Sequence, residues 1–259
     1  MTRRLRRYAL LAMCVTALLS GCATQTTRSV DVDRLLNAIA LDDAGQVRDV
    51  VQAAAAGVNA TIPAPGYPDG TPLITLAARD GAVDVLRYLV AAGADINART
   101  PMGETAVMLA AYFPNGPADA DALDRQERAV ELLVNAGANV ENDAYNYTAL
   151  SYAAYQNRRG IMAYLLKRGA RVDGTVRSGV TYVNTPLMMT AIQGHYDAAI
   201  SLLRAGADAR IREYRGRTAA QFATKYNHQR LADVLLCAQG LSLAAKFEAS
   251  CLNQSTAQR

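Results

Sequence analysis

Two histidines, His195 and His228, and an acidic trio, Asp119, Asp121 and Asp124, are the side chains of this 259-residue sequence best suited to catalysis or metal binding. An imidazole can serve as base or ligand, but only with companions, and neither histidine has an evident Cys, His or carboxylate cluster. Carboxylates spaced by two and three can begin a calcium loop, which also needs a glycine at its sharp turn and a distal glutamate. Neither stands at the expected place, so the trio reads as a solvated acidic loop. No phosphate-binding Gly-rich loop, nucleophile elbow or zinc spacing is present. An enzyme is therefore not expected, nor a cofactor or metal.

The N-terminus carries chemistry of another kind. Arg3, Arg4, Arg6 and Arg7 precede an apolar run from Tyr8 to Leu19, too short to span a bilayer comfortably. It ends in Leu19-Ser20-Gly21-Cys22, which resembles a bacterial lipobox. The resemblance implies that residues 1–21 are a signal peptide cut before Cys22, and that Cys22 carries several acyl chains, enough for a stable anchor. The alternative is an ordinary secretory signal with Cys22 near the cut by chance. Ala23, where inner-membrane retention favours aspartate, implies an outer-membrane lipoprotein facing the periplasm.

Without residues 1–21 the 27 basic residues lose four arginines and become 23, equal to the 23 acidic ones. The sequence pI near 8.9 thus stems from the signal, and a nucleic-acid partner loses its electrostatic support. Cys237 and Cys251 remain as an even pair in a compartment that permits disulfides. A bond requires the C-terminal extension to cross the last repeat obliquely, or to loop back, bringing the Cα atoms within about 7 Å. Two buried thiols acting as small hydrophobes are the alternative.

Hydrophobic residues make up 51% of the chain, with no Trp and three Phe, so Ala, Leu and Val must fill the core, helix on helix. The elements repeat. Thr before an apolar helix start recurs at Thr71, Thr105, Thr148, Thr185 and Thr218, and Gly after a Leu-rich helix at Gly57, Gly93, Gly137, Gly169 and Gly206. Thr71-Pro72-Leu73, Thr185-Pro186-Leu187 with Gly194-His195 at mid-unit, and Leu202-Leu203-Arg204-Ala205-Gly206-Ala207-Asp208 resemble the ankyrin family. Thr105-Ala106-Val107-Met108-Leu109-Ala110-Ala111 and Thr148-Ala149-Leu150-Ser151-Tyr152-Ala153-Ala154 follow the pattern with Ala for Pro.

The resemblance implies an all-α ankyrin-repeat solenoid of about six helix-turn-helix units with hairpin-like connections and a C-terminal capping helix. It covers about Asp33 to Gln239. Expected boundaries are a signal at 1–21, a lipidated Cys and tether at 22–32, the solenoid at 33–240 and a capping extension at 241–259. Pro72 and Pro186 suit the first helical turn, where a missing N–H costs nothing. Paired leucines such as Leu132-Leu133, Leu165-Leu166 and Leu202-Leu203 bury the second helices. The first unit lacks the Thr-Pro-Leu opening but keeps Gly45 and Gly57. About ten extra residues lie inside the third unit at Pro114–Asp121, and about four between Gly174 and Asn184. In the family His195 and His228 would brace the inter-helix turns.

Ankyrin binding surfaces use hairpin tips and the ends of first helices. Carried over by position, that surface includes Tyr112, Phe113, Tyr145, Tyr155, Tyr182, Tyr214 and Tyr226. Tyrosine offers area, a polar tip and little side-chain entropy to lose. Tyr88 and Tyr164 read as core. Arg210, Arg212, Arg215 and Arg217, with Glu213 among them, either grip an acidic partner or lipopolysaccharide phosphate, Arg212 and Arg215 foremost, or form a solvated edge. The expected role is that of a monomeric, membrane-tethered periplasmic module binding a protein of unknown identity. It would be protective, as a toxin-neutralising immunity protein or a helper of antioxidant enzymes. An envelope structural or assembly factor contacting lipid or peptidoglycan is the alternative.

Overall fold

The computed structural model describes residues 31–54, 57–63, 68–113, 119–175, 185–240 and 251. The signal, Cys22, the tether up to residue 30, residues 114–118, Tyr182 with most of the second insertion, and the C-terminal extension apart from Cys251 lie outside them.

Among these residues twelve helices form six pairs: α1 (Val32–Ala40) and α2 (Ala44–Ala53), α3 (Leu73–Asp80) and α4 (Val83–Ala91), α5 (Ala106–Tyr112) and α6 (Ala120–Asn135), α7 (Ala149–Tyr155) and α8 (Arg159–Lys167), α9 (Pro186–Gln193) and α10 (Tyr196–Arg204), α11 (Ala219–Lys225) and α12 (Gln229–Gln239). The first helices stack side by side in one row, and the second helices form a more loosely touching row. Strands β1 (Thr61–Ile62) and β2 (Thr71–Pro72) pair antiparallel in the first connection. Single bridges Arg99–Thr105 and Ala144–Tyr147 mark two later hairpins.

Small residues make the close row possible. Ala77, Ala78, Ala110, Ala111, Ala153, Ala154, Ala191 and Ala223 are completely buried where first helices meet. On the second helices one leucine position dominates, although Leu203 is buried beside Leu202 as well. Leu89, Leu133, Leu165 and Leu202, each four residues before a glycine, are completely buried, worth about 2 kcal/mol apiece. Leu132 and Leu166 are only half-buried. The carbonyls of those four leucines accept the N–H of Ala94, Ala138, Ala170 and Ala207 at 2.9–3.0 Å. This Schellman closure needs the intervening residue at positive φ, and Gly93, Gly137, Gly169 and Gly206 adopt φ of 84°, 100°, 90° and 95°.

Consecutive connections are laced together. After each glycine a side chain accepts a backbone N–H of the following repeat: Asn59 from Asp95 (2.7 Å), Asn97 from Asn139 (2.9 Å), Glu141 from Arg171 (2.9 Å) and Asp173 from Asp208 (3.0 Å). Asp95, Asn139 and Asp208 in turn accept from the N–H two residues on, each at 2.9 Å, fixing the turn into the hairpin. Each such bond is worth about 1 kcal/mol, and together they hold successive hairpins in register.

The structure differs from the sequence reading in three places. Pro186 occupies the first turn of α9, but Pro72 is the N-cap of α3, extended at ψ 141° because it pairs with Thr61 in the strand ladder. Gly45 lies inside α2, and the left-handed residue between the two helices of the first unit is Asp42 (φ 55°). Its carboxylate accepts the N–H groups of Asp84 and Val85 (2.9 and 3.0 Å), capping α4 across the repeat boundary. The third unit's insertion is partly helix. α6 has 16 residues where α4, α8 and α10 have nine, and Asp119, expected in a loop, is its N-cap, accepting from the Ala122 N–H at 2.6 Å.

Candidate binding cleft

The first helices of the third and fourth repeats each end on a tyrosine, seven residues after the threonine that opens the helix: Tyr112 after Thr105 and Tyr155 after Thr148. Because α5 and α7 lie side by side, equal positions become neighbours. The two rings stack with centroids 6.1 Å apart. Tyr152, one turn earlier on α7, meets Tyr112 edge-on at 5.3 Å. Tyr147 packs at 6.0 Å from Tyr152, and Phe113 meets Tyr112 edge-on at 5.0 Å.

These tyrosines line a cleft of about 280 Å³ with Glu104, Ser151 and Met189. Glu104 and Tyr147 also hold equal positions, each just before the helix-opening threonine. The Tyr152 hydroxyl donates to Glu104 Oε1 at 3.1 Å, and the Thr100 hydroxyl to Oε2 at 3.4 Å. Burial, then the Glu104 carboxylate, push the Tyr152 phenol well above its ordinary value. Burial, then Tyr155, raise Tyr112 and Tyr147. All three rings keep their protons at neutral pH, and Glu104 is the one carboxylate among the described lining residues.

The expected aromatic surface is thus divided. Tyr112 and Tyr155 line the cleft and Phe113 supports it, whereas Tyr145 and Tyr214, at hairpin tips, and Tyr226, at the end of α11, are exposed away from its lining. Tyr88 and Tyr164 are half-buried against the core from the second helices. Sequence reasoning missed Glu104, Tyr147, Tyr152 and Met189. The available signal was positional: Tyr152 stands where the neighbouring repeats place Leu109, Met189 and Phe222, so a polar-tipped ring replaces an apolar side chain in the first-helix row.

Two of the four arginines of the basic cluster are neutralised within it. Arg210 pairs with Asp208 at 2.8 Å and Arg217 with Glu213 at 2.8 Å. Arg212 donates to the Gly216 carbonyl at 2.7 Å, and Arg215 lies over the Tyr214 ring at 5.1 Å.

The histidines reach between repeats. His195 Nε2 meets the Tyr155 carbonyl at 2.9 Å, and His228 Nε2 the Ile192 carbonyl at 3.2 Å. Burial chiefly lowers the His195 pKa. Gln126 does the same work in the third repeat, donating to the Arg79 carbonyl at 2.7 Å. Asp124 pairs with Arg128 at 2.7 Å. Among the described residues no group of three or more His, Cys, Asp or Glu could hold a metal ion. None of their helices is long and apolar enough to cross a membrane. Cys237 and Cys251 are disulfide-bonded, their Cα atoms 5.7 Å apart.

Comparison with known proteins bears on the repeat itself. The ankyrin-repeat family matches residues 70–101 and 184–214. A palmitoyltransferase, Hip14 of Drosophila melanogaster, is 42% identical over 88 residues, 34% of this chain and 13% of that protein. The putative palmitoyltransferase ZDHHC13 of Danio rerio is 34% identical over 111 residues, 42% of this chain and 17% of that protein. A putative ankyrin repeat protein of fowlpox virus, FPV031, is 30% identical over 176 residues, 65% of this chain and 48% of that protein. The chain therefore spans less than half the length of each of these relatives. The matched segments carry the second and fifth helix pairs, and the third and fourth pairs between them repeat the same plan, from Thr105 to Gly137 and from Thr148 to Gly169. The chain contains ankyrin repeats, and its described residues form an all-α ankyrin-repeat solenoid.

Proposed function

We propose that this chain is a periplasmic protein-binding module, held to the membrane by acyl chains on Cys22, which recognises its partner through the cleft of Tyr112, Tyr147, Tyr152 and Tyr155. Ankyrin repeats are protein-binding units, and the observation that carries the choice of site is this tyrosine cluster. Clustered aromatic rings give large contact area at low entropy cost, the property shared by binding hot spots. The tripartite N-terminus ending at Cys22 supports the tether. In this reading the chain acts as a monomer, without catalysis or cofactor, in a protective role, neutralising a toxin or assisting an antioxidant enzyme. The envelope-structural reading draws on Arg212 and Arg215, which make no ion pair among the described residues.

Crosslinking in intact cells followed by purification of the chain tests the reading. Tyr112→Ala with Tyr155→Ala is expected to abolish capture of the partner, whereas Tyr145→Ala with Tyr214→Ala leaves it. If Arg212→Ala with Arg215→Ala removes capture and the cleft variant does not, the envelope reading replaces it. Mass spectrometry of the mature protein is expected to find an acylated Cys22 at its N-terminus. Retained residues 1–21, or an unmodified start beyond Cys22, would overturn the tether.

A further inference from the structure

The chemistry of the cleft narrows what it can take. Among the described residues its lining holds one carboxylate, Glu104, and no Lys, Arg or His. Four tyrosine rings share the lining with that carboxylate, and the negative faces of aromatic rings attract cations. A carboxylate has about four acceptor directions. Tyr152 and Thr100 use two of them, leaving outer lone pairs for an incoming donor. Met189 adds an apolar wall from the fifth repeat. A space of about 280 Å³ admits one long side chain, not a folded element.

A cationic group on an apolar stem satisfies all these features at once. Between the two natural choices, a planar guanidinium can lie against a ring while its N–H fork meets a carboxylate. An ammonium is a compact, strongly hydrated point charge that gives up more water on entering.

We propose that the Glu104–Tyr152 cleft is a subsite for one arginine side chain presented by the protein partner. This rests on the protein-binding reading of the same site. It makes Glu104 the residue that selects for charge, and Tyr112, Tyr147, Tyr152 and Tyr155 the rings that select for a flat cation.

The test uses the full chain and two small probes, N-acetyl-arginine amide and its uncharged isostere N-acetyl-citrulline amide. The chain has 13 tyrosines and no tryptophan, so ¹³C-labelled tyrosine rings report occupancy by NMR, with single Tyr→Phe variants to assign them. The arginine probe is expected to shift Tyr112, Tyr152 and Tyr155 saturably, and the citrulline probe to bind about tenfold more weakly. Glu104→Gln, which retains an acceptor for the Tyr152 hydroxyl, is expected to weaken the arginine probe by about the same factor with an unchanged melting temperature. Should that variant unfold, Tyr155→Leu is expected to weaken the probe instead. Equal binding of both probes, undiminished binding to the substituted proteins, or shifts confined to Tyr145, Tyr214 and Tyr226 would overturn the assignment. A partner captured through Tyr112 and Tyr155 yet indifferent to Glu104→Gln would leave the protein-binding reading standing and remove the arginine.

Discussion

The His228 ring lies directly over Gly194: a Cβ placed on that glycine would come within 2.5 Å of the imidazole. The contact joins the turn of one repeat to the start of the next repeat's second helix, and the same ring reaches the Ile192 carbonyl. Gly194 also has φ 75°, so two demands coincide on one position.

Gly194→Ala is therefore expected to destabilise the protein by about 2–4 kcal/mol, combining left-handed strain with overpacking. Gly206 has φ 95° with open space around it, and Gly206→Ala is expected to cost only about 1 kcal/mol. Urea melts of the two variants make the comparison. Adding His228→Ala to Gly194→Ala should recover part of the loss, and equal costs for the two alanines would rule out the ring contact as the cause.

Acid should weaken the connection into the last repeat through Glu213. Burial pushes its carboxyl up, but hydrogen bonds from the Arg217 side chain and from the Arg215 and Arg217 backbone outweigh this and hold it below its ordinary value of 4.5. The Arg210 side chain, foremost, likewise holds Asp208 below 3.8. A carboxylate with a depressed folded-state pKa adds stability above its unfolded value and loses it as pH falls through the folded one. Glu213→Gln should accordingly be less stable than the parent at pH 7, and the gap should close between about pH 5 and 3. A gap constant across that window would show that charge plays no part.

The Cys237–Cys251 bond joins the last helix, α12, to a position 14 residues further along the chain. Cys237→Ser with Cys251→Ser should lower stability by about 3 kcal/mol through the freedom regained by the unfolded chain. Thiol counting on denatured, unreduced protein isolated from cells should find none at these two positions, with a monomeric band on a non-reducing gel. Two free thiols there would refute the bond in the cell.

Gln126 offers a test of the inter-repeat braces. It is buried, yet it sits on the elongated helix α6 and no family marker points to it. Gln126→Ala leaves the Arg79 carbonyl without its donor and should cost about 1–3 kcal/mol. Gln126→His, read by the same melts, should recover some of that if the brace is what matters.

Local pattern alone determined the repeat. Thr71, Thr185 and their counterparts, the buried alanine pairs, the leucines four before each glycine, and Gly93, Gly137, Gly169 and Gly206 each answer a demand set within a few residues: a helix start, a close approach, an apolar face, a positive φ. Such demands leave their mark on the residue type itself, so the paired helices and the glycine turns that close them were legible, whereas the first unit's turn at Asp42 was not. Tertiary structure alone decided which side chains meet. Glu104 and Tyr152 are 48 residues apart, His195 and Tyr155 are 40, and Gln126 and Arg79 are 47. Their contacts depend on the offset between stacked repeats, which insertions of different length change without altering the local pattern. The tip tyrosines were visible as residues, but the cleft exists only because α5 and α7 lie side by side and bring equal positions of two repeats into contact.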